Sequence, residues 1–490
     1  MTALLRQLAY VAGYGTLGIA LTLATALGVH LTRLPPLKPW HLAPLAAEFR
    51  AADSPNFSSL DDYRALEARL MADLDAEVYA EIPADERFAV NRYSAGSLAD
   101  ARRRAPNWNL TFEFPVPAPK GAALLLHGLT DSPYSMRAMA EIFAARGWYV
   151  VGLRLPGHGT APSALTGVTW DDWAAAVRLA ARHLRARAGP DVPLVLAGYS
   201  TGAALSVEYA LATLQGEPLP RAAGLVLLSP AIGVSPVAAL AVWPGRLARW
   251  TGWQKLAWTE FPLEYDPYKY NGFTANAGDQ MYQLTRRIRE QVDALDKGSG
   301  VVGMPPVLAF QSVADATVSA PAVVRTLFGR LAPEGHALVG FDVNREAEVE
   351  PLLSPAARTA SVGLLEGPPL PFDLTVLGNA TLQGGIQGAA VIARHRAAGA
   401  TTIDVQPTGL RWPHDTYSLS HVSLPFRPDD PVYGATPPVR WDFIFLGKMG
   451  VFGERGVLSV SPGEFARLRH NPFFPYVEAR VNAFLAARER

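Results

Sequence analysis

The chain has 490 residues, in which 44 Lys and Arg balance 44 Asp and Glu, and it has no cysteine. The lack of cysteine excludes a thiol nucleophile, a disulfide framework and a cysteine-rich metal site. The balanced charge argues against a nucleic-acid partner. The length exceeds one ordinary domain, yet no Ser/Gly-rich linker or internal repeat divides the chain, so one large domain with insertions is the simplest organisation.

The amino terminus carries a long uncharged run, from Leu8 to Val29, directly after a segment that holds Arg6. This run is long enough to cross a hydrocarbon core of roughly 30 Å, and it exceeds the ~7–15 residues of a signal-peptide core. We therefore expect residues 1–34 to be a transmembrane anchor, with the rest of the chain outside the cytoplasm. The small residues that end at Ala26 fit a cleavage site, which makes secretion after signal-peptide cleavage the alternative.

Residues 35–118 are predicted to be a linker followed by a helical region. Prolines punctuate the segment from Pro35 to Pro44, and the segment from Leu60 to Glu81 is predicted to be an amphipathic helix. The sheet is expected to begin only after this region.

From Gly121 onward, strand-like apolar runs alternate with turns and one amphipathic helix. In chain order these segments are the strands Ala122–Leu126 and Trp148–Leu153, the helix Trp170–Arg187 and the strand Pro193–Ala197. The first strand ends in His127-Gly128-Leu129, and the second ends in Arg154-Leu155-Pro156-Gly157-His158-Gly159. This order predicts a parallel sheet wound with helices.

A serine between two glycines marks the turn from the last of these strands to the next helix. In Gly198-Tyr199-Ser200-Thr201-Gly202, a tight bend projects the Ser200 hydroxyl outward, and side chains at the two glycines would collide with the neighbouring strand and helix. The helix directs its positive end at Ser200 and leaves the Thr201 amide free to bind an oxyanion. The amide of Leu129 is expected to point at the same oxyanion.

These motifs, together with Val313-Ala314-Asp315-Ala316-Thr317-Val318, resemble those of the α/β-hydrolase superfamily. The resemblance is strongest to the branch of monoacylglycerol lipases and serine aminopeptidase-like hydrolases. It extends from about Gly121 to Ser319, weakens to about Ser418 and returns at His421. It implies an α/β-hydrolase fold, with a mostly parallel central sheet flanked by helices and a helical cap.

The resemblance also implies a division of the chain after residue 118. We expect the first part of the hydrolase core at 119–231, an aromatic-rich cap at 232–303, and the second part of the core at 304–490, with an insertion at about 345–410. Within the insertion, the sequence predicts strands at Leu374–Leu377 and Thr401–Val405 and a helix at Gln387–Ala398.

The superfamily order of a catalytic triad is Ser, then Asp or Glu, then His. Asp315 follows an apolar strand-like run and is the candidate acid. His421 lies in a Ser-His-Val sequence that resembles the loop presenting the base in this branch, and it is the candidate base. The long segment between the two leaves alternatives: His414 and His336 as bases, and Asp342 and Asp404 as acids. The resemblance assigns structural roles to His127 and His158.

The predicted cap is rich in aromatic residues, which are Trp243, Trp250, Trp253, Trp258, Phe261, Tyr265, Tyr268, Tyr270 and Phe273. Such rings either form an apolar pocket over Ser200, contact a membrane surface or pack the cap onto the body. Packing is expected to explain most of them.

The resemblance implies a serine hydrolase, which we expect to cleave carboxylic esters of apolar acyl chains in a small molecule or lipid. Ser200 is the predicted nucleophile, His421 the base and Asp315 the acid, with the amides of Leu129 and Thr201 as oxyanion donors. No cofactor and no metal are expected, since no ligand cluster or phosphate-binding loop is apparent. The membrane is an expected partner through the amino-terminal run. Peptidase or acyltransferase activity is an alternative on the same triad, and a non-catalytic membrane-tethered binding module is the alternative from another class.

Overall fold

A ten-stranded sheet organises the part of the chain that the computed structural model describes, namely residues 2–45, 47–233, 253–359, 361–439, 442–448, 463 and 466–489. In chain order, the strands of this sheet are β1 (Phe112–Phe114), β2 (Ala122–Leu126), β3 (Tyr149–Leu153), β4 (Leu194–Tyr199), β5 (Gly224–Leu228), β8 (Val307–Ser312), β9 (Ala337–Phe341), β10 (Asp373–Thr381), β11 (Gln387–Arg396) and β12 (Asp404–Arg411). A separate two-stranded sheet pairs β6 (Trp258–Glu260) with β7 (Phe273–Thr274).

The strands of the large sheet lie in the order β1-β3-β2-β4-β5-β8-β9-β10-β11-β12. All neighbouring pairs from β3 to β10 are parallel. Antiparallel strands extend the two edges, with β1 on one side and β11 and β12 on the other. The central strands β2 to β5 are buried along their whole length, as expected of parallel strands covered on both faces by helices.

The helices are α1 (Thr2–Arg33), α2 (Pro39–Leu42), α3 (Leu60–Leu74), α4 (Arg137–Ala145), α5 (Trp170–Ala188), α6 (Thr201–Leu214), α7 (Ala275–Leu295), α8 (Ala320–Thr326), α9 (Pro355–Thr359), α10 (Val362–Leu365) and α11 (Phe474–Ala486). Local sequence explains their ends. At the start of α5, the Thr169 hydroxyl accepts a hydrogen bond from the amide of Asp172, whose side chain accepts one in return from the amide of Thr169. The helix ends before Gly189, which has a positive φ.

The core consists of two layers, one on each face of the sheet. Alternate residues of β2 belong to different layers: Leu124 packs with α5 and α6, whereas Leu125 packs with α4 and α11. Because the parallel strands run in one direction, the loops after β2, β4 and β8 meet at the same edge of the sheet. Ligand sites in open α/β sheets form at this carboxyl edge.

The insertion differs from its prediction. The segment predicted to be a helix, Gln387–Ala398, forms strand β11 instead, antiparallel to β10 and to β12. The prediction was wrong because the alanines favour a helix only locally. Pairing with two neighbouring strands, with Val391 and Ala393 buried against the core, outweighs that propensity. The strand predicted at Leu374–Leu377 lies within β10, and the one predicted at Thr401–Val405 overlaps the start of β12.

The amino-terminal run lies within α1, as a helix. Among the residues described, no helix has both the length and the apolar character that crossing a membrane requires. The expectation of a transmembrane anchor over Leu8–Val29 is therefore not supported. The helix predicted from Leu60 to Glu81 is shorter than expected: α3 ends at Leu74, and Asp75–Tyr79 continues it as a wider π-helical turn.

Part of the predicted cap, residues 234–252 with Trp243 and Trp250, lies outside the described residues. The remainder includes β6, β7 and α7, and several of its aromatic rings pack onto the body. The Tyr268 ring stacks on Tyr134, with ring centroids 3.9 Å apart. The Tyr270 hydroxyl accepts a hydrogen bond of 2.8 Å from the amide of Thr160. These two rings therefore have the packing role that the sequence analysis expects for most of the aromatic residues of the cap.

A fully buried arginine attaches the amino-terminal region to the sheet. Arg154, at the end of β3, contacts Glu48 at 2.9 Å and Glu67 at 3.0 Å, and all three side chains are excluded from solvent. The guanidinium also donates a hydrogen bond of 2.9 Å to the carbonyl oxygen of His158. The ion pairs hold residues 35–118 against the loop that follows β3.

We predict that Arg154→Met lowers the free energy of unfolding by about 3–5 kcal/mol, because it leaves two buried carboxylates without their cation. Urea unfolding followed by circular dichroism measures the change. Arg286→Met removes an arginine from an exposed ion pair with Glu290 and is the control, with an expected change within about 0.5 kcal/mol. Equal losses in the two variants would contradict the prediction.

Candidate active site

Ser200 lies at the turn from β4 to α6 in a backbone conformation that L-residues rarely adopt. Its φ is 52° and its ψ is −110°, and the residue is buried. A Cβ at Gly198 would collide with the backbone of Gly202, and one at Gly202 would collide with the carbonyl oxygen of Leu126. The two glycines therefore allow α6 to pack closely on β2 and β4, which produces the strained bend that the pentapeptide predicts.

The structure brings the three predicted triad side chains together. The Nε2 atom of His421 lies 3.0 Å from Ser200 Oγ, and its Nδ1 atom lies 2.7 Å from Asp315 Oδ2. An ionised carboxylate only accepts hydrogen bonds, so Nδ1 carries the ring proton and Nε2 accepts from the serine hydroxyl. The result is a continuous hydrogen-bond relay, Ser200 to His421 to Asp315, and all three residues are buried.

Asp315 is held in its ionised form by several donors. Its Oδ1 atom accepts hydrogen bonds from the amides of Thr317, at 2.8 Å, and Val318, at 2.9 Å. Burial raises the pKa of this carboxyl, but the hydrogen bond with His421 and those from the two amides outweigh burial and hold the pKa below its usual value. Asp315 therefore carries a negative charge beside the imidazole at neutral pH.

The loop that carries His421 is attached to the end of β8. The Ser312 hydroxyl donates a hydrogen bond of 2.8 Å to the carbonyl oxygen of Leu419, two residues before the histidine. Within the loop, the Ser423 hydroxyl donates to the carbonyl oxygen of Ser420 at 2.8 Å. The strand that leads to Asp315 thus also positions the histidine.

The two predicted oxyanion donors are the amides of Leu129 and Thr201. Leu129 follows β2, and Thr201 is the first residue of α6, so both lie at the carboxyl edge of the sheet near Ser200. Within the described ranges, neither amide donates a hydrogen bond to a protein acceptor. Both N–H groups are thus available to an external acceptor.

The two histidines that follow β2 and β3 bond to backbone groups, as expected for structural residues. The Nδ1–H of His127 donates to the carbonyl oxygen of Gly128 at 2.8 Å, and its Nε2 accepts from the amide of Leu155 at 3.0 Å. The Nδ1–H of His158 donates to the carbonyl oxygen of Pro156 at 3.0 Å. Burial lowers the pKa of His158 to about 4, so this ring is neutral.

The alternative bases lie away from the relay. His414 is exposed, while His336 Nδ1 accepts a hydrogen bond from the amide of Val307, at the opposite end of β8 from Asp315. Of the alternative acids, Asp342 forms an ion pair with Arg345 at 2.9 Å, and Asp404 lies exposed on the edge strand β12.

Sequence reasoning missed two polar residues that contact the relay and a buried aspartate in the loop after β2. Tyr199 packs its ring against His421, with centroids 5.3 Å apart, and Gln311 contacts Asp315. Asp131 lies in the loop after β2, where a Cβ added to Gly128 would lie 2.6 Å from its Oδ2. The sequence signal for Gln311 and Ser312 was a polar pair ending an apolar strand. Asp131 had no comparable signal. In the described part of the chain, no cluster of three or more His, Asp or Glu side chains could hold a metal ion.

A known protein family is similar to this chain over the region that carries Ser200 and Asp315. Residues 117–342 match the model of the family described as Serine aminopeptidase, S33. The chain carries an α/β-hydrolase fold. The match confirms the resemblance to the monoacylglycerol lipase and serine aminopeptidase-like branch.

Individual proteins are similar to part of the chain. The chain is 33% identical over 127 residues to the Thermostable monoacylglycerol lipase of Bacillus sp. (strain H-257). The matched stretch covers 26% of this chain and 47% of that relative. A metagenome-derived lipolytic enzyme superimposes with 23% identity and a TM-score of 0.37, over 48% of this chain and 88% of the other. The monoacylglycerol lipase of Paleococcus ferrophilus superimposes with 19% identity and a TM-score of 0.36, over 47% of this chain and 88% of the other.

We predict that Asp131→Asn stabilises the protein at neutral and alkaline pH. Burial raises the pKa of Asp131 to about 7, an effect that Asp266 increases and Lys269 opposes. In the unfolded chain, Asp131 ionises near pH 4. The free energy of unfolding of the wild type therefore falls below that of the variant as the pH rises from about 4 to about 7, and it stays lower above pH 7. The expected gap above pH 7 is up to about 4 kcal/mol.

Urea unfolding at several pH values between about 4 and about 9 measures this gap. Asp191→Asn, at an exposed turn, is the control and should follow the wild type throughout. A gap between Asp131→Asn and wild type that does not change with pH would contradict the assignment.

Proposed function

We propose that this protein is a serine hydrolase that cleaves carboxylic esters of apolar acyl chains through an acyl-enzyme. The observation that carries the proposal is the hydrogen-bond relay from Ser200 through His421 to Asp315, at the strained turn before α6. A buried hydroxyl paired with a histidine, which is oriented in turn by a carboxylate, is the arrangement that activates serine as a nucleophile.

In the proposed first half-reaction, Ser200 Oγ attacks the ester carbonyl carbon while His421 Nε2 takes the hydroxyl proton. The electron pair of the C=O double bond moves onto its oxygen, and the amides of Leu129 and Thr201 donate hydrogen bonds to that oxyanion. When the tetrahedral intermediate collapses, the bond to the leaving oxygen breaks and His421 returns its proton to the departing alcohol. Asp315 stays ionised and stabilises the imidazolium.

In the second half-reaction, a water molecule takes the place of the serine hydroxyl. His421 accepts a proton from that water as its oxygen attacks the acyl carbon, and the proton then passes to Ser200 Oγ as the acid leaves. The same two amides serve the second oxyanion, because both intermediates carry charge on the same oxygen.

The relatives support the class of bond that is cleaved. The relative named Thermostable monoacylglycerol lipase supports an ester with an apolar acyl chain as substrate. The family description Serine aminopeptidase supports amide hydrolysis on the same residues as a second candidate. A location outside the cytoplasm, as an anchored or a secreted protein, stays a prediction from the amino-terminal run, and fractionation of expressing cells would test it.

We predict that Ser200→Ala abolishes labelling by a fluorophosphonate probe and lowers ester turnover by about 10⁴–10⁶-fold, because the attacking atom is lost. Ser206→Ala is the matched control: Ser206 lies on α6, where its hydroxyl donates to the carbonyl oxygen of Gly202 at 2.8 Å, and its loss should leave labelling intact. His421→Ala should behave as Ser200→Ala does, whereas His414→Ala should resemble the wild type.

Turnover is measured on p-nitrophenyl esters of increasing acyl length and on an aminoacyl p-nitroanilide. Faster turnover of the esters, with a preference for longer chains, supports the proposal. Turnover of the anilide alone would replace it with a peptidase. Folded wild-type protein that neither binds the probe nor cleaves any of these substrates would overturn the proposal in favour of a non-catalytic module.

A further inference from the structure

A buried glutamine faces the carboxylate of Asp315. Gln311 lies on β8, four residues before Asp315, and is 1% exposed. Its Nε2 atom lies 3.0 Å from Asp315 Oδ2, 3.2 Å from the carbonyl oxygen of Val318 and 3.3 Å from that of Ser312. All three neighbours are acceptors, so the NH₂ end of the amide must face them.

The opposite end of this amide has no partner. Within the residues described, no donor reaches the buried Oε1 atom of Gln311. A buried polar atom without a hydrogen bond destabilises the folded state, and an apolar side chain at this position would avoid that cost. The rest of β8 up to this residue is apolar, from Val307 to Phe310. Packing alone therefore does not explain a glutamine here.

The oxygen that Gln311 contacts is the one that orients the histidine. Asp315 Oδ2 accepts from both Gln311 and the Nδ1–H of His421, whereas Oδ1 accepts from the amides of Thr317 and Val318. The two amides restrain only one oxygen of the carboxylate. Without Gln311, the remaining donor to Oδ2 would be His421. The carboxylate has to fix the direction of that histidine ring, so the ring cannot also be what holds the carboxylate oxygen in place.

We propose that Gln311 is a positioning residue of the relay, whose side-chain amide holds Asp315 Oδ2 in line with the Nδ1–H of His421. The proposal rests on the proposed function, since the relay matters only if Ser200 is the nucleophile. Gln311 acts through Asp315 alone. It adds a neutral donor that restrains the carboxylate and partly offsets its charge toward the imidazole.

The test is Gln311→Leu in the full-length protein, with ester turnover expressed per serine labelled by the fluorophosphonate probe. Loss of a hydrogen bond to a charged group is expected to lower kcat by about 10–100-fold. KM should stay unchanged, because the residue is inferred to act through Asp315. With one donor fewer, the carboxylate stabilises the imidazolium more strongly, so the acidic limb of the kcat/KM profile should move to higher pH.

Gln291→Leu is the matched control. Gln291 is also fully buried, has an Oε1 atom without a partner in the described structure, and donates through Nε2 to Gln215 and not to the relay. If Gln311→Leu does not fold, Gln311→Met replaces it, because methionine has the same length and no branch. The low-field proton resonance of the His421 Nδ1–H supplies a readout that does not depend on turnover, and it should shift only in the Gln311 variants.

A lower kcat, a shifted acidic limb and a shifted proton resonance, all absent in Gln291→Leu, support the positioning role. The positioning role would be overturned if Gln311→Leu showed the same kinetics and the same proton resonance as Gln291→Leu, even if the wild-type protein turned over esters normally. A wild-type protein without turnover, in which the resonance still shifts in Gln311→Leu, would refute the proposed function while leaving the hydrogen-bond role of Gln311 in place.

Discussion

The close approach of α6 to β2 is the constraint on which the site depends. The backbone of Gly202 lies so near the carbonyl oxygen of Leu126 that no side chain fits between them. That contact forces Ser200 into a positive φ and points the start of α6 at the space above the sheet. The nucleophile candidate and the Thr201 amide share this origin, because both are the first groups beyond the same bend.

The end of strand β8 imposes a comparable constraint on the other side of the site. Its last two residues reach both partners of the serine: Gln311 contacts Asp315, and Ser312 holds the carbonyl oxygen of Leu419 in the histidine loop. The acid and the base are far apart in the chain, yet one strand end restrains both. This arrangement allows the long segment between them to form β9 to β12 without displacing His421, since the histidine loop is attached to the core directly.

The accuracy of sequence reasoning differed along the chain for physical reasons. Strands β2 to β4 and their turns were predictable, because buried parallel strands are continuous apolar runs and their turns need glycine. The helix predicted over Gln387–Ala398 was wrong, because pairing of β11 with the strands on both its sides outweighs the helix propensity of its alanines. Gln311 and Asp131 were missed because a polar residue at a strand end or in a loop has no periodic signal.

The sequence by itself determined the sheet core, the strained turn at Ser200 and the order of the three predicted triad residues, because these follow from local sterics and from short motifs. Tertiary structure alone decided which histidine meets the serine. His336, His414 and His421 all satisfy the chain order, and only His421 lies within hydrogen-bond distance of both Ser200 and Asp315. A contact between distant residues depends on how intervening strands and loops pack, and no local pattern encodes that distance.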